Sequence, residues 1–421
     1  MAAKQLSAAG LQVLILEARN RIGGRVFTFN TENESFEGGA EFIHGNLALT
    51  LSLLEEARLQ KKLLQGDVWQ IKDGKWTQES DFFDHAEIVI NQLKKLKDDI
   101  NIEEFMKTFF AEEKYAKLTK ALTSYVEGYY SGEVHKISAK SFLEEWMSED
   151  HQQYRPTGGY GFLLHYLESS CVNNGGQCKL SKVVKEIRWS KGAVEVSTEE
   201  GEKYTAAKVL ITVPLGVWTA SAGEQGSIQF FPALTEKMEA AKRMGFGSVI
   251  KVLLKFDHAF WEDKLVKERC GVDTANFHMA ISDLPIPTWW SQLPAHSALL
   301  TGWLSGPKAA EIMNETDENI LDHALFSVST IFKMNAQLLR EQLKWHKIFN
   351  WTKDPFTRGS YSYSTLFTKE ARTLCTSPAE NTLFFAGEAL YDGPEMGTVE
   401  AALTSGKQVA EDIIRHYEKP Q

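Results

Sequence analysis

The chain has 421 residues, 43% hydrophobic and 24% charged, and its 46 Lys and Arg against 56 Asp and Glu give a net charge of −10. That length exceeds one compact core and implies two domains. The acidic balance excludes nucleic acid as a general partner, because phosphate binding draws on clustered Lys and Arg, and it modestly favours a cationic substrate. No run approaches the roughly 18–20 apolar residues needed to cross a bilayer, and the opening is a polar-flanked helix rather than a signal peptide, so a cytoplasmic protein without a membrane partner is expected.

In chain order, residues 2–9 read as the last turns of a helix stopped by Gly10. The near-continuous apolar run 11–16 predicts a strand of a parallel sheet covered on both faces, and it ends in Glu17. An acid at that place is what the second strand of a dinucleotide-binding βαβ unit carries, where it accepts hydrogen bonds from ribose hydroxyls. Arg19-Asn20-Arg21-Ile22-Gly23-Gly24-Arg25 follows. Paired glycines let backbone approach a large anionic ligand, and Arg25 offers a fork of donors to a phosphate or flavin oxygen. The first strand and glycine-rich turn of such a unit belong just before Met1. Without them, two or three backbone donors to a pyrophosphate are lost, about 4–6 kcal/mol or three to four decades of affinity.

From residue 51 to about Glu149 the pattern is helical and charge-laced, with no strand-rich block. Pro156-Thr157-Gly158-Gly159 breaks the chain before an amphipathic helix reaching Ser169. Segments 185–189, 192–198 and 201–204 alternate with turns as a β-meander, and 208–213 is a buried strand ended by Pro214. Further strands are expected at 246–256 and 299–304, a helix at 318–332, a strand from 381 feeding the turn at Gly387, and a closing helix over 397–417. The four cysteines (Cys171, Cys178, Cys270 and Cys375) form no CxxC pair and read as buried or half-buried free thiols of a reducing compartment, with no metal site. The Asn-x-Ser/Thr triplets at Asn33, Asn314 and Asn350 read as chance.

Glu17-Ala18-Arg19-x-Arg21-x-Gly23-Gly24-Arg25, followed by Glu37-Gly38-Gly39-Ala40-Glu41-Phe42-Ile43-His44-Gly45, resembles the amino-terminal signature of the flavin-dependent amine oxidases. Phe384-Phe385-Ala386-Gly387-Glu388 and Gly397-Thr398-Val399-Glu400 continue the resemblance at the far end. Val183 to Ile187, Thr212 to Val217, Lys251 to Phe256 and Trp351 to Tyr363 fall between them in the expected order, so it spans nearly the whole chain. Ile43-His44-Gly45 is similar to the polyamine and spermine oxidase branch. Lysine-specific histone demethylases are similar at both ends but carry a long coiled-coil arm, for which no heptad run exists here.

The resemblance implies an α/β fold. A Rossmann-like FAD domain (1–50, 155–240 and 375–421), incomplete at its first strand, interleaves with a substrate domain of mixed sheet and helices (51–154 and 241–374), and the active cavity lies between them. It also implies non-covalent FAD held by Glu17, Arg19, Gly23, Gly24, Arg25, Gly39, Ala40, Glu41, Phe42, Val183, Trp351, Gly387, Glu388, Gly397, Thr398 and Val399. The amino end of the last helix aims N–H groups and a positive dipole end at the flavin. Lys251 interrupts an apolar strand, and a buried Lys needs a partner; in the family the lysine at this place holds a water at flavin N5. Tyr361 matches one wall of the aromatic cage that presents the amine to the flavin, and His44, Glu41 and Thr398 join it as candidate substrate contacts, Glu41 for the distal ammonium of a diamine. Ser360 stands where monoamine oxidases carry the cysteine bonded to flavin, and Thr398 where they carry the second cage tyrosine. Glu400 replaces the His of much of the polyamine branch.

The implied reaction transfers a hydride from the α-carbon of a small-molecule amine, a polyamine first, to flavin N5. The imine hydrolyses to aldehyde and amine, O2 is reduced to H2O2, and the enzyme is a monomer or weak dimer. An L-amino-acid oxidase on the same fold would need Arg243, Arg340 or Arg358 in the pocket for the substrate carboxylate. A non-catalytic remnant would bind flavin poorly for want of the pyrophosphate loop.

Overall fold

The computed structural model describes residues 1–31, 34–80, 82–148 and 152–418. Asn33, the far limit of the helical block at Glu149 and the last three residues lie outside them. The chain is a mixture of helices and several sheets.

The largest sheet has seven strands, in the order Leu343–Asn350, Val249–Phe256, Leu299–Ser305, Thr288–Trp290, Phe277–Ser282, Asp67–Lys72 and Lys75–Thr77. Its Val249–Phe256 strand is buried except at Lys255, because antiparallel neighbours cover both edges and side chains cover both faces. Helix Asp317–Phe332 covers one face through Ile320, Leu321, Ala324, Leu325, Val328 and Ile331, the i, i+3, i+4 spacing of an apolar stripe. Its ends are set locally. The Thr316 side chain accepts from Asn319 N–H at 3.2 Å, and Lys333 stops the helix at a φ of 53°. Phe256, Phe260, Phe277 and Phe332 are fully buried against this sheet, each stabilising it by about 1.5–3 kcal/mol.

Two of its strands, Asp67–Lys72 and Lys75–Thr77, and a third strand, Lys61–Leu63, overturn the expectation of a strand-free block from residue 51. The turn between the first two is Asp73-Gly74, with φ of 50° and 71°. Positive φ at both central residues is what a tight hairpin requires, and Asp-Gly is its sequence signal. The rest of the block is helical, packed around Phe105, Leu122, Val126 and Phe142.

The other half is built from shorter pieces. Leu14–Leu16 pairs in parallel with Gln177–Lys179, and Val209–Ile211 in parallel with Leu383–Phe385. Each pair stands alone among the described residues, so each strand has one edge without a ladder partner. Leu14–Leu16 and Val209–Ile211 both line one large cavity, whereas Leu383–Phe385 does not. The meander forms as expected, as Val184–Ser190, Ala193–Thr198 and Lys203–Ala206, with Gln229–Phe231 added in parallel. Helix Ala2–Ala8 packs on the closing helix Val399–Glu418 and on Gly161–Asn173, which runs further than the expected end at Ser169. Cys171, Cys270 and Cys375 are buried free thiols and Cys178 is a half-buried one. No described helix is long and apolar enough to cross a membrane.

Candidate active site

One cavity of about 3020 Å³ is lined by residues from both halves. Every site residue expected from the sequence lines it, from Glu17 and the Gly23-Gly24-Arg25 turn through the 39–42 segment, His44, Val183, Lys251, Trp351 and Tyr361 to Gly387, Glu388 and the start of the last helix.

On the cofactor side, strand Leu14–Leu16 delivers Glu17, whose N–H is held by the Lys179 carbonyl at 2.9 Å and whose carboxylate accepts Arg19 N–H at 2.8 Å. Burial pushes the Glu17 carboxyl above its ordinary range, against the lowering effect of that N–H and of Arg19 and Arg21. Arg19 lines the cavity, but its fork is spent on Asp354 at 2.8 and 2.6 Å and on Thr357 at 2.9 Å, so it braces the turn rather than offering its guanidinium to a ligand. The two glycine segments are laced together by Gly38 N–H to Phe27 O at 2.7 Å and Ala40 N–H to Arg25 O at 3.1 Å. A Cβ on Gly39 would stand 1.8 Å from the Arg25 carbonyl, so only glycine permits this approach.

Arg25 Nη1 donates to Ser360 O at 2.6 Å and to Glu388 Oε1 at 2.7 Å. The other oxygen of Glu388 accepts from the Ser362 N–H and hydroxyl. Glu388 is thus a buried brace joining three distant segments, and the Gly387 backbone in front of it faces the cavity. Gly387 adopts a φ of 152°, and a Cβ there would meet nothing within 4 Å. Such a glycine-lined opening beside a strand-end acid fits the extended ribose and ribityl parts of FAD. Ser360 bonds to the Ser131 hydroxyl at 3.1 Å and offers no thiol for a covalent flavin link. Thr398 caps the closing helix, donating to Glu395 O at 2.6 Å and accepting from Ala401 N–H at 3.2 Å. Glu400 does not line the cavity. It caps helix Ala48–Glu56 by accepting Leu49 N–H at 2.8 Å and Thr50 N–H at 2.7 Å.

The inner chamber is aromatic. Phe42, Tyr129, Trp290, Trp303 and Tyr361 line it. Trp303 lies parallel to Tyr361 with 6.4 Å between ring centres, and Tyr361 donates its hydroxyl to Tyr129 O. Burial pushes the Tyr361 phenol well above its usual range, so it stays neutral. Burial also lowers His44 to about 4, and burial with the Arg155 cation lowers His278 to about 4, so both imidazoles are neutral at pH 7.

Lys251 is 1% exposed and does not reach water by strand alternation. Its Nζ donates to Glu41 Oε2 at 2.6 Å and Gly39 O at 3.0 Å. Burial alone would raise Glu41, but the Lys251 and Arg155 cations outweigh it and hold the carboxyl at about 2. Arg155 Nε and Trp290 Nε1 occupy the other oxygen of Glu41 at 2.9 and 3.0 Å. The expected diamine contact of Glu41 is therefore corrected: its carboxylate is consumed inside the wall. Arg155, Trp290, Trp303, His278 and Tyr129 were not legible as site residues, since only the folded register places them here. Arg243, Arg340 and Arg358 do not line the cavity; they pair with Glu370, with Glu318 and Asp322, and with Glu224. The pocket arginine an amino-acid oxidase needs is not among them.

Comparisons with known proteins place the chain in a family. Residues 1–414 match the sequence profile of the flavin containing amine oxidoreductases. The chain is 29% identical to lysine-specific histone demethylase 2 of Homo sapiens over 98% of its own length and 52% of that protein. It is 27% identical to polyamine oxidase 2 of Arabidopsis thaliana over 98% of its own length and 85% of that protein. It thus spans about half the length of the human demethylase. Among solved structures, putrescine oxidase bound to putrescine superposes with a TM-score of 0.77 at 18% identity, covering 98% of this chain and 96% of that one. Cyclohexylamine oxidase from Brevibacterium oxydans IH-35A superposes with a TM-score of 0.78 at 16% identity, covering 99% and 96%. The chain belongs to the flavin containing amine oxidoreductase family, whose cofactor is FAD.

Proposed function

We propose that this chain oxidises an amine that enters the aromatic chamber as its free base, with a polyamine as substrate and O2 as acceptor. FAD, when bound, supplies the two-electron chemistry that turns the amine C–N bond into an imine, which water then hydrolyses to an aldehyde. The observation that carries the reading is the convergence of Lys251, Tyr361, Trp303, Trp290 and Phe42 on the same cavity as the glycine-lined cofactor cradle. Aromatic walls hold the apolar stem of an amine and withdraw water from its nitrogen, which disfavours the ammonium. Lys251 and Arg155, two cations sharing one carboxylate, oppose an ammonium further. His44 and His278 add no charge at neutral pH. Exposed carboxylates of Asp73, Glu79 and Asp283 line the same cavity, although Asp283 is paired with Lys120, and they suit the distal ammonium groups of a polyamine.

Among the described residues the carboxylate at the aromatic chamber, Glu41, is taken up by Lys251 and Arg155, which favours a second reading, an apolar monoamine. Incubating the FAD-loaded chain with spermine, spermidine, putrescine and cyclohexylamine separates the two. The expected result is aldehyde and peroxide in equal amounts, kcat/KM highest for a polyamine, and kcat/KM rising with pH as the free base accumulates. Turnover of cyclohexylamine alone would favour the second reading, and no turnover of any amine would overturn both.

A further inference from the structure

We propose that Glu41 and Arg155 are positioning residues that clamp the Lys251 ammonium in one orientation on the chamber wall. The inference rests on the reading that Lys251 serves the reacting edge of the flavin.

The clamp is a chain of directed bonds. Arg155 lies on strand Gln153–Pro156 and anchors Nη1 on Leu293 O at 2.8 Å and Nη2 on Ser291 O at 3.1 Å. Its Nε and Nη2 grip Glu41 Oε1 at 2.9 and 2.8 Å, and Glu41 Oε2 grips Lys251 Nζ at 2.6 Å. Gly39 O takes a second Nζ proton at 3.0 Å, which leaves Lys251 one of its three donors for the cavity it lines. The Lys251 and Glu41 side chains are 1% and 5% exposed, so water cannot substitute for either partner. Buried ions keep their charge only where geometry and further hydrogen bonds compensate lost solvation. Arg155 is the member that fixes the geometry: without its fork, Glu41 keeps a bond to Trp290 Nε1 at 3.0 Å but loses the cation that holds Oε1. The trio carries two positive charges and one negative. A role limited to charge balance would therefore survive loss of Glu41 and Arg155 together, whereas a clamp would not.

The test compares Glu41→Gln, Arg155→Lys and the double variant Glu41→Gln/Arg155→Met, which keeps the trio's net charge. The first readout is the rate at which Lys251 of the full chain is acetylated by acetic anhydride at fixed pH without FAD, followed by peptide mass spectrometry. Glu41→Gln and the double variant remove the charge-assisted bond to Lys251 and should speed its reaction about tenfold, and Arg155→Lys, which keeps that bond but frees the Glu41 carboxylate from its fork, should speed it by a smaller factor. The second is the split of kinetic constants in the FAD-loaded enzyme, where kcat should fall about tenfold with KM little changed. Should Glu41→Gln fail to fold, the charge-neutral double variant and Arg155→Lys carry the same comparison. Restoration of the unsubstituted acetylation rate and kcat in the double variant would overturn the clamp, as would unchanged acetylation in Arg155→Lys. Lys251→Met separates the two claims: full activity in that variant would remove Lys251 from the chemistry, while the acetylation rates would still judge the clamp.

Discussion

The two walls of the cavity are built on opposite principles. The wall bearing Lys251 and Trp303 is part of a seven-stranded sheet, with Lys251 paired in register to Trp303 on one side and Phe349 on the other. The wall that faces the cofactor is assembled, among the described residues, from three-residue strands in separate pairs, of which Leu14–Leu16 and Val209–Ile211 line the cavity. A sheet strand sealed on both edges holds its side chains in place without a ligand. Three-residue strands are held by few ladder bonds, and such a region gains order when a ligand packs on it. Lys251, Trp290 and Trp303 thus sit on the stiff wall, Tyr361 and His44 come from short segments outside that sheet, and the cofactor cradle depends on what fills it.

Breaking the Arg25–Glu388 brace should have the largest effect. Arg25→Met leaves a carboxylate that is 4% exposed without its cation, a cost of about 3–5 kcal/mol. The variant is expected to lose FAD on gel filtration, while hydrogen exchange within Val249–Phe256 stays as slow as in the unsubstituted chain. Equal loosening of both walls would show that they are one cooperative unit. Adding FAD to the unsubstituted chain sharpens the same contrast. Protection should rise in Leu14–Leu16, Val209–Ile211 and around Gly387, and change little in Leu299–Ser305.

On the stiff wall, Trp303→Leu removes the ring stacked on Tyr361. Aromatic pairs contribute about 0.5–1.5 kcal/mol beyond their buried area, so kcat/KM for the preferred amine should fall up to about tenfold with FAD affinity unchanged. A matching loss of FAD affinity would mean that Trp303 supports the cradle instead.

The smallest effect is a pH slope. His44 and His278 have folded pKa values near 4, below the ordinary value of 6.5. They therefore favour the folded state above pH 6.5 and cost stability as pH falls towards 4. Burial raises Glu37 to about 7 despite its bonds to Tyr160 N–H and Thr28, so it stabilises below pH 4.5 and loses that contribution as pH rises to 7. Between pH 4.5 and 6.5 the three groups sum to about 1.4 kcal/mol gained per pH unit on raising pH, one group's worth. Glu37→Gln removes the opposing member and should double their slope in chemical denaturation of the chain without FAD. An unchanged slope would mean that Glu37 is ionised in the folded protein.

The same contrast explains what was legible in the sequence. The cradle announces itself because the close approach of Gly39 to the Arg25 carbonyl and the open backbone at Gly387 demand glycine, and because a strand-end acid stands at Glu17, at fixed local spacings. Lys251 was readable from its apolar surroundings, although its partner was not. Arg155, Trp290 and Trp303 escape because their roles arise from register between strands far apart in sequence, which no local period encodes. Glu41 was legible as a site residue but not in its role, since a carboxylate on a loop does not show which cations will surround it. The hairpin at Asp73-Gly74 is a different failure: its turn signal was present, and the charged residues around it mask the alternation of Val68, Gln70 and Lys72 with Trp69 and Ile71.

An amine bound against the stiff wall should be oxidised by a cofactor held in the other. The direct measurement is anaerobic mixing of the FAD-loaded chain with spermine while flavin absorbance is followed over a range of pH. Bleaching of the flavin at a rate that rises with pH, and that falls in Lys251→Met and Trp303→Leu, is the expected result. A flavin that stays oxidised under every amine and pH tried would contradict it.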